Sequence, residues 1–172
     1  MRSMELFRNR RSVRSFTDEG VPDQVIAEAL EAGNLAPSAG NLQARDFVVV
    51  RGIERKRQLA DAAHSQMFVA DAPVILACCA NLDRIASYGP RGRELYCLQD
   101  VAAAVENILL YISSVGYGAC WVGAFNEKKV SDALNLPINV RPLALLPVGR
   151  PASEGRPQSR LVTDDLVHFE EW

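Results

Sequence analysis

Apolar positions along this chain recur either at helical spacing or in unbroken short runs, and the changeovers between the two mark the elements. Val25, Ile26, Ala29 and Leu30 recur at helical spacing between Pro22, suited to a first helical position, and Gly33, suited to a stop. Phe47 to Val50 is an apolar β-branched run that predicts a buried strand, and residues 54–63 predict an exposed, charged helix. A second apolar strand is expected from Pro73 to Ala80. Residues 82–95 then lose periodicity, and Tyr88, Gly89, Pro90, Arg91, Gly92 and Arg93 mark a loop long enough to act as a lid.

The strongest helix signal runs from Tyr96 to Val115, where Leu98, Val101, Val105, Ile108, Leu109 and Ile112 spread over much of the circumference before Gly116. A helix apolar on more than one side is central, covered by its own layers or by a second subunit. Residues 116–125 combine a glycine-rich turn, a short strand and a small-residue bend at Gly123 and Ala124. Asn126 suits the N-cap of a helix through Val130 and Leu134, and Pro142 to Val148 predicts another strand. Leu166, Val167, Phe169 and Trp172 place hydrophobes so late that the tail is expected to pack onto something.

A length of 172 residues fits one domain with a full-sized core, and 48% hydrophobic residues without low-complexity tracts indicate a globular chain. No apolar run is expected to cross a bilayer, and the Arg-rich start lacks a signal peptide's apolar segment, so a cytoplasmic location is expected. The balance of 19 Lys plus Arg against 21 Asp plus Glu argues against a nucleic-acid or membrane surface. Cys78, Cys79, Cys97 and Cys120 lack metal or redox spacing and read as buried thiols. His64 and His168 stand far apart with no acidic or Cys companion at ligand spacing, so neither a metal site nor a nucleophilic triad is expected.

Candidate chemistry concentrates near the N-terminus, where Arg10, Arg11, Ser12, Arg14 and Ser15 place guanidiniums and hydroxyls that suit a phosphate. In an extended segment Arg10, Ser12 and Arg14 share one face, opposite Arg11 and Val13. The alternative is a solvated basic patch. A second polar stretch, with Ser38, Asn41 and Gln43 among turn formers, either lines a ligand or is an ordinary loop. The glycines of residues 116–123 follow a helix and therefore do not form a dinucleotide fingerprint.

Taken together and in order, several segments resemble the FMN-dependent nitroreductase family. Residues 10–16 are similar to its phosphate-gripping opening and residues 36–43 to its second flavin loop. Gln99, Asp100, Ala103, Glu106 and Asn107 resemble the start of its central dimer helix, residues 121–126 its loop beside the isoalloxazine, and residues 143–151 its last central strand. The resemblance implies an α+β fold, a three-layer α/β/α sandwich with a central mixed sheet, of obligate dimer type, with FMN at the homodimer interface. It implies that Arg10, Arg11, Ser12 and Arg14 contact the phosphate and ribityl region, completed by Arg160. Pro37, Ser38, Ala39, Asn41 and Gln43 would line the partner subunit's flavin, and the backbone of Val122, Gly123 and Ala124 would face its N5 and O4. Gln158 and Gly123 depart from some members, which carry a basic residue and Glu there. The implied activity passes a hydride from NAD(P)H through FMN to a nitroaromatic, quinone or similar small acceptor in ping-pong turnover, with no catalytic side chain. Alternatives are a reductive dehalogenase, a flavin-remodelling enzyme or a non-catalytic flavin-binding module.

Overall fold

A strand apolar on both faces needs a layer on each side, and the run from Val74 obtains two. The computed structural model describes residues 3–153, 155 and 157–172. In chain order its elements are α1 (Ser3–Asn9), α2 (Asp23–Asn34), β1 (Arg45–Val50), α3 (Ile53–Ala62), α4 (Phe68–Asp71), β2 (Val74–Asn81), α5 (Gly89–Arg91), α6 (Cys97–Ser114), β3 (Gly118–Ala119), α7 (Glu127–Leu134) and β4 (Val140–Gly149). The sheet order is β1-β2-β4-β3, and these strands pair antiparallel. Among the described residues the parallel pairing is the isolated bridge from Ser12 to Ala119, where the N-terminal segment meets β3.

Alternation along β2 divides the core. Leu76, Cys78 and Ala80 face a cluster with Val101, Val105 and Ile108 of α6, whereas Ile75 and Ala77 face Leu59, Val69 and Val130 of α3, α4 and α7. The three-layer sandwich follows directly. Pro142 lies inside the central strand β4, which is tolerated because the ladder slips between Cys78 and Cys79 beside it. Expected to be buried, β1 is instead an edge strand, and Val49 is 41% exposed.

Residues 82–95 are less irregular than their composition implies. A 3-10 turn at Ala86–Tyr88, α5 and a π-helical turn at Gly92–Tyr96 lead straight into α6. The chain continues because Gly92 presses its bare Cα against Ile85, whose carbonyl oxygen would lie 2.7 Å from an added Cβ. The resulting helical run Ala86–Ser114 spans 29 residues and contains an 18-residue stretch with a mean hydropathy of 1.3, long and apolar enough to cross a bilayer by those measures, contrary to expectation. Its Val101, Ala104, Val105, Ile108 and Ile112 are instead buried against the sheet and α2, as in a core helix. The opposite side of α6, with Leu98, Ala102, Glu106 and Leu110, is half-buried. Tail hydrophobes Leu161, Leu166, Phe169 and Trp172 stay exposed among the described residues.

Candidate functional site

The Arg-rich segment is shaped by what precedes and what lies under it. After α1 the chain turns, with Arg10 N donating to Leu6 O at 3.2 Å, and Val13 N then donates to Ala119 O at 2.9 Å. Val13 seats itself on Gly118, where an added Cβ would lie 2.6 Å from Val13 Cγ2, so only glycine permits this contact. Burying Val13 fixes the neighbours outward.

Beside it lies a pocket of about 290 Å³ lined by Phe7, Arg8, Arg10, Arg11, Ser12, Pro157, Gln158 and Arg160. Guanidiniums from both ends of the chain thus meet one hydroxyl, and no described lining residue is acidic. Strict alternation fails at Arg11. The chain is still turning out of α1 there, so Arg11 lines the pocket with Arg10 while donating to the carbonyls of Arg8 and Arg10. Glu106 of α6 stands 3.8 Å from Arg10 Nε at the side of the site. Arg14 is not in this lining, since its guanidinium lies 5.9 Å from the Phe68 ring centroid. Burial raises the Cys120 pKa, opposed by the charges of Arg14 and Arg10, so this thiol stays protonated.

The second polar loop shares no lining residue with that pocket within the chain. Its path is left-handed at Gly40 (φ 55°), Asn41 (φ 56°) and Gln43 (φ 45°). Ser38 Oγ accepts from Gln43 N at 3.0 Å, and Gln43 Nε2 donates to Asn41 Oδ1 at 2.6 Å and to the Asn41 carbonyl. Beneath it, Asp100 accepts from the amides of Ala39 (2.9 Å) and Ala44 (3.4 Å). Arg45 donates to the carbonyls of Asn34 (2.7 Å), Ala36 (2.8 Å) and Pro37 (3.3 Å).

A third segment offers open backbone. Val122 exchanges both bonds with Leu145 at 2.9 Å, so its side chain is buried while Gly123 and Ala124 stand exposed. A Cβ added at Gly123 would meet only Trp121 Nε1 at 3.8 Å. Asn126 Oδ1 caps α7 by accepting from Lys129 N at 3.0 Å, which fixes where this segment ends.

Arg8, Phe7 and Pro157 in the pocket, and Arg45 beneath the loop, were not singled out by sequence reasoning. Arg8 alone carried a signal, as one more guanidinium two positions before Arg10. Among the described residues no group of three or more His, Cys, Asp or Glu stands together to hold a metal. A donor set of several guanidiniums and a hydroxyl, without a carboxylate in the described lining, fits a phosphate group.

The sequence profile of the nitroreductase family matches residues 7–73 and 65–150. A Thermus thermophilus protein named NADH dehydrogenase is 32% identical, with 92% of this chain and 91% of the relative covered. A Bacillus subtilis FMN reductase (NAD(P)H) is 31% identical, with 94% of this chain and 71% of the relative covered. Among solved structures, the NADPH:FMN oxidoreductase of Vibrio harveyi complexed with NAD+ superposes with a TM-score of 0.90 at 27% identity, covering 98% of this chain and 77% of that one.

Proposed function

This chain belongs to the nitroreductase family, and from that premise we propose that it is an FMN-dependent oxidoreductase passing a hydride from NAD(P)H to a nitroaromatic, quinone or similar acceptor. The observation that carries the reading is the pocket, with no acidic residue in its described lining, in which Arg10, Arg11 and Ser12 meet Arg160 from the far end of the sequence.

FMN, when bound, supplies the chemistry of accepting a hydride from one partner and releasing electrons to the next. The chain's own residues bind and orient. Arg10, Arg11 and Arg160 would neutralise the phosphate, Ser12 would donate its hydroxyl, and Arg14, outside the pocket lining, would serve the ribityl side. Because Arg8 joins this set, the pocket retains ample positive charge even with Gln158 where some relatives carry a base. The Val122 N–H is already donated to Leu145 O, so the backbone of Gly123 and Ala124 would be what offers N–H groups to the flavin N5 and O4, where negative charge accumulates on reduction, and the missing side chain at Gly123 would leave room for a flat ring. No side chain needs to exchange a proton in this scheme.

Pro37, Ser38, Ala39, Asn41 and Gln43 serve the flavin held by the partner subunit, which accounts for their separation from the phosphate pocket within one chain. The half-buried side of α6 and the exposed Leu161, Leu166, Phe169 and Trp172 are the surfaces that a second copy covers. Residues 1–172 act as one FMN-binding domain in each subunit, and the enzyme is cytoplasmic.

The test is direct. The purified protein is expected to show a bound-flavin absorption spectrum and to oxidise NAD(P)H faster when a nitroaromatic or quinone is added. Absence of flavin binding at saturating FMN rejects the reading, and flavin binding without any NAD(P)H oxidation reduces it to a flavin-binding module.

A further inference from the structure

Three charged side chains are buried among the described residues, Lys56, Arg45 and Asp100, and the last two, each 3% exposed, lie under the second polar loop outside the pocket. Burying opposite charges seldom stabilises a fold more than apolar packing would, so the placement of such a pair asks what each is bonded to. Both are spent on one stretch of backbone. Asp100, from the first turn of α6, accepts the amides of Ala39 and Ala44, which bracket the second polar loop. Arg45, at the start of β1, spreads its fork over the carbonyls of Asn34, Ala36 and Pro37, which lead into it. Its Nε is buried with no hydrogen-bond partner among the described residues, so the guanidinium is aimed at these carbonyls at the expense of its own satisfaction.

The loop held in this way does not relax on its own. Gly40, Asn41 and Gln43 all have positive φ, a conformation that side-chain-bearing residues adopt at a cost and keep only when the surroundings over-determine them. Tyr88 closes the other side, since its Oη would lie 2.6 Å from a Cβ added at Gly40. Between the aromatic lid and the buried pair the loop has one shape.

We propose that Arg45 and Asp100 are positioning residues of the flavin site, holding the backbone of residues 37–43 in the path that meets the ring end of the cofactor. The inference rests on the flavin reading above and adds residues that touch no cofactor. It ties that loop to α6, so the helix half-buried on its far side and the ring-side loop move as one body.

Riboflavin, which lacks the phosphate, separates the two ends of the site. Full-length apoprotein is titrated with FMN and with riboflavin, and the visible absorption and circular dichroism of the bound flavin are recorded. Asp100→Asn keeps the shape of the side chain but turns one acceptor into a donor facing a backbone amide. It is expected to weaken both flavins by a similar factor, about tenfold, the scale on which outer supporting hydrogen bonds act at binding sites, and to change the bound spectrum. Arg160→Ala is expected to weaken FMN while sparing riboflavin. Affinities and spectra of Asp100→Asn equal to wild type overturn the proposal while leaving the flavin reading intact, and so does a loss confined to FMN. Should Asp100→Asn not fold, the same comparison is made on Arg45→Lys, whose single ammonium cannot span three carbonyls. Failure of both variants to fold makes the pair a requirement of the fold alone and overturns its assignment to the site. A wild-type protein that binds neither flavin removes the reading on which the proposal stands.

Discussion

Arg160 is exposed and, among the described residues, has no ion pair to lose, which makes it the cleanest residue on which to test the anion pocket. Among the described residues its guanidinium donates only to its neighbour Ser159 O at 2.9 Å in addition to lining the cavity. Arg160→Ala is therefore expected to leave the melting temperature of the apoprotein unchanged while raising the FMN dissociation constant roughly 10- to 100-fold, the worth of one charge-assisted contact of about 1.5–3 kcal/mol. Isothermal titration of apoprotein checks this. Arg14→Ala is expected to cost less, because Arg14 lies over Phe68 rather than in the lining. Residue types alone pointed to guanidiniums and a hydroxyl for phosphate. They did not reveal that Arg11 turns inward beside Arg10 or that Arg8 joins them, because both depend on where α1 ends.

At the scale of elements, the site depends on contacts that hold one segment against another. Gly118→Ala would drive a methyl into Val13 at 2.6 Å, with backbone on one side and a buried β-branched residue on the other. We expect it to lift residues 10–14 from β3 and to weaken FMN binding at least tenfold alongside a destabilisation of about 1–3 kcal/mol, measured by denaturant unfolding. Asn126→Ala removes the α7 cap and is expected to cost about 1 kcal/mol by the same measurement. Between α2 and α6, Asn107 Nδ2 donates to Ala32 O at 3.0 Å and the Tyr111 hydroxyl donates to Glu28. The latter bond holds the Glu28 carboxyl below its ordinary 4.5, assisted by Gln24, and pushes the Tyr111 phenol up to about 12. A lowered carboxyl contributes stability above its unfolded pKa and loses it as the pH falls through the folded value. A raised phenol contributes below its unfolded 10.0 and loses that contribution as the pH rises toward about 12. Tyr111→Phe should accordingly flatten the stability profile on the acid side below pH 4.5 and on the alkaline side above pH 10.0, as read by thermal unfolding across pH. Helices and strands with clear periodicity, such as α2, β2, α6 and β4, were legible. The short α4 and the turns before α6 were not, because Gly92 and Pro90 read as breakers until Ile85 is seen packing on Gly92.

At the scale of the whole molecule, the tail presents Leu161, Leu166, Phe169 and Trp172 to solvent, the last at 101% exposure, and α6 leaves one side half-covered. If a second copy covers them, deleting residues 161–172 should weaken the dimer and lower flavin occupancy together while sparing Arg160, and light scattering beside the flavin-to-protein absorbance ratio measures both. Unchanged mass and occupancy would remove the tail from the interface. What the sequence by itself determined was the inventory. Apolar periodicity set the main helices and strands, since burial on one or two faces leaves a repeating trace, and the types of residue in the short segments set a preference for phosphate and for tight turns. Only the tertiary structure decided the adjacencies. It brought Ser12 beside Arg160, turned β1 into an edge, and put Arg45 and Asp100 under the loop of residues 37–43. Such pairings join positions far apart in the chain, and they are fixed by packing volumes and hydrogen bonds satisfied in three dimensions, which leave no period for a linear reading to detect.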